Sequence, residues 1–173
     1  MKALQALPVA ALMLALPTHA WPGAAPAGLH NKSIVLSWAE TNMHKRVSDG
    51  QTGTATPSFE RTIYISGAGR EFVRQRATSG RNARNGEGGP ERTSGRFSFA
   101  GNTMVNMMGG DGLLRRLTVT FNPSFSGCQA AITIGKSGPN PRTTGVDGAA
   151  YEILSISAGS VSCSIRDGNA FAG

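Results

Sequence analysis

Histidine and cysteine are scarce in this chain, with three of one and two of the other among 173 residues. Two thiols exclude a cystine-dense miniprotein and a structural zinc site built from four thiolates. Carboxylates are also few: 10 Asp and Glu stand against 17 Lys and Arg, for a formal net charge of +7. Beyond residue 16 no apolar run approaches the roughly 18 residues of a membrane-spanning helix. Apolar spacing at 3.6 residues hardly occurs, so a helical bundle is excluded. Yet 39% of the residues are hydrophobic, too many for a wholly disordered chain.

The N-terminus reads as an address. Lys2 precedes a charge-free run from Ala3 to Leu16, Pro17 ends it, and Thr18 and Ala20 follow as small residues around a cleavage point. This is the layout of a secretory signal peptide over residues 1–20. The run is too short to span a bilayer, and no cysteine near the cut offers a lipid attachment point. Removing residues 1–20 would leave 153 residues with a net charge of +6, carried by 13 Arg and 3 Lys. Residues 21–30, which include WPGAAPAG, are expected to form a flexible linker. Residues 31–173 are expected to form one domain, of a size that buries a serviceable core. Cys128 and Cys163, 35 residues apart, are expected to be bonded in an oxidising compartment. Such a loop contributes about 3–4.5 kcal/mol in the chain-entropy view.

What recurs is alternation with a period of two. Ile34, Leu36 and Trp38 share one face, as do Ile63 and Ile65, Phe97 and Phe99, and Val161, Cys163 and Ile165. In LLRRLTVTF, Leu113, Leu117, Val119 and Phe121 align with Arg115. Asp-Gly turn signals stand at Asp49, Asp111, Asp147 and Asp167. The pattern predicts an all-β domain of about eight short antiparallel strands in a meander. It closes either as a small up-and-down, lipocalin-like barrel or as a two-sheet sandwich. Residues 78–95, almost free of apolar side chains, are expected to be a mobile Arg/Gly-rich loop. Residues 136–148 are expected to be a second long loop.

Few residues support chemistry. Gly135-Lys136-Ser137 lacks the upstream glycine and the following helix of a phosphate-cradling loop, so nucleotide binding is rejected. Gly109–Gly112 resembles one turn of a calcium-binding β-roll, without the stacked repeats that such sites need. No Gly-x-Ser-x-Gly occurs, and His30 and His44 read as surface residues. No catalytic residue, metal site or cofactor is expected. The arginines are more informative. Arg70, Arg74, Arg76, Arg81 and Arg84 crowd one strand and loop, and guanidinium forks suit phosphate and carboxylate. They are the candidate anion-binding residues, for an anionic polymer, a membrane surface or an acidic protein. The leading expectation is therefore a non-enzymatic secreted or periplasmic binding protein. One alternative is a barrel that carries a small apolar ligand behind Phe97, Phe99, Met104, Met107 and Met108. The other is a secreted hydrolase using His44 and an arginine.

Arg61–Arg76 (RTIYISGAGREFVRQR), Thr118–Cys128 (TVTFNPSFSGC), Gly145–Ile153 (GVDGAAYEI) and Ser162–Gly168 (SCSIRDG) carry a resemblance. They resemble segments of a group of small exported proteins of soil α-proteobacteria. The resemblance implies a bacterial, envelope-facing protein. Its strings are hairpin and loop text, so it transfers no site residue.

Overall fold

The structure is a computed structural model and describes residues 23–78, 91–92, 97–110, 112–139, 141–145 and 147–172. The expected signal peptide, Arg81 and Arg84 lie outside these residues. The described chain is all-β apart from one 3-10 turn, Ala27–Leu29. Its strands are β1 (Lys32–Arg46), β2 (Thr52–Ala55), β3 (Ser58–Ile65), β4 (Glu71–Ala77), β5 (Glu91–Arg92), β6 (Phe97–Ala100), β7 (Thr103–Gly110), β8 (Leu113–Phe121), β9 (Cys128–Lys136), β10 (Arg142–Thr144), β11 (Ala150–Ala158) and β12 (Ser162–Asp167).

These strands form two sheets. One is the antiparallel meander β6-β7-β8-β9, curled like half a barrel. The other runs β10-β11-β1-β3-β4-β5, with β12 and β2 also paired to β1. The expected meander thus holds in the first sheet, while the second is organised around β1. From Lys32 to Ser37, β1 pairs with β12 on one side and β3 on the other. From Glu40 onward it pairs with β11, and from Asn42 with β2. Periodicity locates a strand but does not say which distant strand pairs with it, and β11 and β12 lie more than 100 residues from the parts of β1 they pair with.

The core lies between the sheets. Ile34, Leu36 and Trp38 of β1 join Ile63 and Ile65 of β3 and Val73 of β4. Phe97, Phe99, Met104, Met108, Leu117, Val119 and Phe121 approach from the curled sheet. Each such side chain contributes about 1.5–3 kcal/mol when fully withdrawn from water. Cys128 and Cys163 are bonded, with 5.7 Å between their Cα atoms. They tie β9 to β12 beside the isolated bridge Ala130↔Val161. The disulfide therefore closes one open side between the sheets.

Several expectations need correction. There are more than eight strands, because β2, β5 and β10 are too short and polar to show alternation. The 21–30 linker is anchored from residue 23 onward. Gly23 bridges to Phe99, Ala25 and Leu29 are buried in the core, and Gly28 packs against the Phe125 ring with no room for a Cβ. A proline- and alanine-rich segment reads as linker because one leucine carries too little pattern to reveal its burial. Within the expected 78–95 loop, Glu91–Arg92 pair with Val73 and Phe72 of β4. Within the 136–148 loop, β10 pairs with β11. The Asp-Gly signals hold: Gly50, Gly112, Gly148 and Gly168 all take positive φ, from 67° to 82°, a backbone conformation strained for any residue with a side chain.

Candidate functional site

The hairpin of β3 and β4 decides where the arginines go. Gly69 takes φ 70° and its N–H donates to Ser66 O. This tight turn sets Tyr64 opposite Phe72, Thr62 opposite Arg74 and Glu60 opposite Arg76. Ile63 and Ile65 face the core, so the alternate residues stand on the outer face. Phe72, Arg74 and Arg76 share that face, and exposed Arg70 stands at its edge, in the turn just before β4. On β12, Ile165 packs inward, which turns Arg166 outward beside Ser33. Four arginines therefore occupy one surface made by β12, β1, β3 and β4.

Rings lie among these charges. Tyr64 and Phe72 are 6.1 Å apart at 32°, and both are half-buried. The C-terminal segment crosses the same face: Ser33 Oγ donates to Gly168 O and accepts from Ala170 N. That path carries Phe171 under Arg74, whose guanidinium sits 5.1 Å from the ring centroid. Among the described residues the carboxylate on this face is Glu60, held by Arg76 at 2.8 Å. Among the described residues, Arg70, Arg74 and Arg166 have no carboxylate partner.

The structure thus brings together Arg70, Arg74 and Arg76. It adds Arg166, Tyr64 and Phe171, which sequence reasoning did not attach to the cluster. The Gly-Ala-Gly hairpin register could have given Tyr64. Nothing local announces Arg166 or Phe171, which arrive from the far end of the chain.

A second polar cluster lies on the distal half of β1. His44 Nδ1 is 3.2 Å from Asn42 Oδ1, and its ring meets Tyr151 edge-on at 5.1 Å. A Cβ at Gly53 would lie 3.0 Å from His44 Nε2, so the ring lies across a position kept open by glycine. Arg46 sits over Tyr151 and pairs with Asp49 at 3.0 Å and Asp147 at 3.9 Å. Tyr151 donates its hydroxyl proton to Asp147 Oδ2 at 2.6 Å. That bond, with the Ala149 N–H, holds the Asp147 carboxyl below its ordinary value. The Gln51 N–H and Arg46 do the same for Asp49. Bonding to Tyr151 and Asp49 raises Arg46 further. Lys45 pairs with Glu152 at 3.3 Å. Here Arg46 and Lys45 each have a carboxylate, and His44 is oriented by packing.

A third feature is internal. Glu40 is 1% exposed and Arg115 16%. Glu40 Oε1 accepts from Arg115 Nε at 2.7 Å and from Trp38 Nε1 at 3.0 Å. Glu40 Oε2 accepts from an Arg115 terminal nitrogen at 2.8 Å. This two-pronged pair spans the sheets where β1 changes neighbours. It explains why an arginine keeps the parity of Leu113, Leu117 and Val119.

The remaining candidates are also placed. Phe97, Phe99, Met104 and Met108 belong to the packed core, whereas Met107 is 47% exposed and lines nothing inside. Met107 falls on the outward parity of β7, a register that runs of methionine do not reveal. No group of three or more His, Cys, Asp or Glu that could hold a metal ion occurs among the described residues. No helix among them is long and apolar enough to cross a membrane. Compared with known proteins, the chain matches no family model, no curated protein and no solved structure.

Proposed function

We propose that this is a non-enzymatic binding protein, exported from the cytoplasm, that meets an anionic partner through the outer face of β12, β1, β3 and β4. The observation that carries the reading is the charge on that face: among the described residues, four arginines stand against one carboxylate, already taken by Arg76. Uncompensated like charges on one rigid surface repel one another and gain energy when a polyanion arrives. Guanidinium forks on fixed strands suit phosphate, sulfate or carboxylate groups. Export is supported by the N-terminal layout and by the bonded cysteines.

The experiment is a salt titration. Affinity for polyphosphate is measured between about 50 and 200 mM salt, a range over which a polyanion contact weakens steeply. The expected result is a falling log–log line, flattened in Arg70/Arg74/Arg76→Gln. Binding that ignores salt, or that survives the triple substitution, overturns the reading.

A further inference from the structure

We infer that the anionic partner of this face is a single-stranded polynucleotide. The inference rests on the proposed binding function and narrows it to one ligand class. Along β4 the outer face reads Phe72, Arg74, Arg76, with neighbours roughly 7 Å apart at two residues per step, and Arg70 stands in the turn just before the strand. Charge therefore flanks the Phe72 ring on both sides, from the turn and from the strand. Tyr64 stands opposite Phe72, so two rings lie side by side in the middle of the row. Arg166 lies farther along on the β12 side, separated from the rings by Ser33, which the C-terminal segment covers. Phe171, under Arg74, adds a third ring.

A polyanion without rings would use only the arginines and leave Tyr64 and Phe72 unexplained. A membrane surface would use the charges, but half-buried rings seated in a sheet are poorly placed to insert into acyl chains. A duplex hides its base faces within the stack. An unpaired strand carries a phosphate and an open base face at every step, and aromatic side chains on a basic sheet meet both. The contacts are sequence-tolerant, because every base has a π-face. Arg74 is already held over a ring, so its guanidinium is oriented before any phosphate arrives.

The test uses the full chain and a fluorescently labelled thymidine oligomer, with polyphosphate of matched charge as the ring-free competitor. Fluorescence anisotropy is read at fixed salt. The expected result is tighter binding of the oligomer than of polyphosphate. Tyr64→Leu and Phe72→Leu should each weaken the oligomer roughly five-fold or more, the lower end of what one stacked base is worth. Neither should change polyphosphate affinity, and Tyr64→Phe, which keeps the ring, should bind like the parent. Should a leucine variant not fold, the unsubstituted protein gives the same answer, through ring-proton shifts of Tyr64 and Phe72 as oligomer is added. If oligomer and polyphosphate bind alike and only arginine substitutions matter, the polynucleotide is overturned and the anionic partner stands. Ring-dependent binding to phosphatidylglycerol vesicles without oligomer binding also overturns it, in favour of a membrane. If no polyanion binds in a salt-dependent way, both readings fall.

Discussion

Arg46 and Arg74 each stand on a sheet beside an aromatic ring, at 5.8 Å from Tyr151 and 5.1 Å from Phe171. Their electrostatic situations are opposite. Arg46 reaches Asp49 and Asp147, and Tyr151 is bonded to Asp147 in turn. The network is closed, and an incoming anion would have to displace a carboxylate already in place. Among the described residues Arg74 has its ring and no carboxylate. The two sites use the same residue types, so composition does not separate them. Compensation does: a closed polar network serves the fold, while an open one is available to a partner.

The buried extreme of compensation is Glu40 with Arg115, and breaking it should have the largest effect. Glu40→Gln leaves a nearly enclosed guanidinium without its counter-charge, which costs about 3–5 kcal/mol. Urea denaturation followed through the fluorescence of buried Trp38 reads the loss. Glu40→Leu with Arg115→Leu removes both charges together and should be less destabilised than either single change. Equal losses in the singles and the double would mean that packing, and not the charge pair, holds the sheets here.

The disulfide comes next, because it joins the same two sheets by a different physical means. Cys128→Ser with Cys163→Ser should cost about 2–5 kcal/mol, read by thermal melting. Cys128 and Cys163 are only partly buried, so solvation changes in the folded state should be modest. The closed and open charge networks should be untouched, and polyanion affinity at a temperature where the variant is folded should equal that of the parent. A fall in affinity would show that the arginine face needs the second sheet fixed beneath it.

Arg74 and Arg46 can be compared directly. Arg74→Gln should leave stability within about 0.5 kcal/mol, as surface substitutions usually do. It should also reduce the slope of log affinity against log salt by about 1, the share of one phosphate contact. Arg46→Gln should show the reverse pattern: an unchanged slope and a lower melting temperature, because Asp49 and Asp147 lose their cation. If both substitutions lower the slope equally, compensation is not what distinguishes the two surfaces.

Much of this arrangement was legible in the sequence, and the rest was hidden for identifiable reasons. Period-two alternation located most of the strands, and the Asp-Gly pairs marked turns that glycine conformation bears out. Cys128 and Cys163 fell on apolar faces and are bonded. The inward parity of Arg115 was visible too, but not its meaning, because Glu40 lies 75 residues earlier. Arg70, Arg74 and Arg76 could be read as a cluster from one strand. Their outer face is completed by Arg166 and Phe171, which long-range pairing through β1 and β12 delivers. Local pattern reports which way a side chain points; only the pairing of distant strands reports what it points beside.

The smallest effect expected is an acid response confined to the closed network. Asp147 is held below its ordinary value of 3.8, chiefly by the Tyr151 hydroxyl, and Asp49 by the Gln51 N–H. A carboxyl depressed in the folded state adds stability that is fully present above its unfolded value and is lost as pH falls through the folded one. The loss should therefore begin below about pH 4 and complete under the depressed values. Both carboxyls are exposed, so the change is local: Tyr151 loses its charged acceptor, and its ring signal in NMR should move with the titration. Asp147→Asn should remove that movement. The Arg74–Phe171 pair includes no carboxylate among the described residues, so the Phe171 ring signal should not follow the same curve. If Phe171 and Tyr151 move together, the two arginine–ring pairs are coupled through the sheet, and the contrast between closed and open networks is weaker than their separate partners suggest.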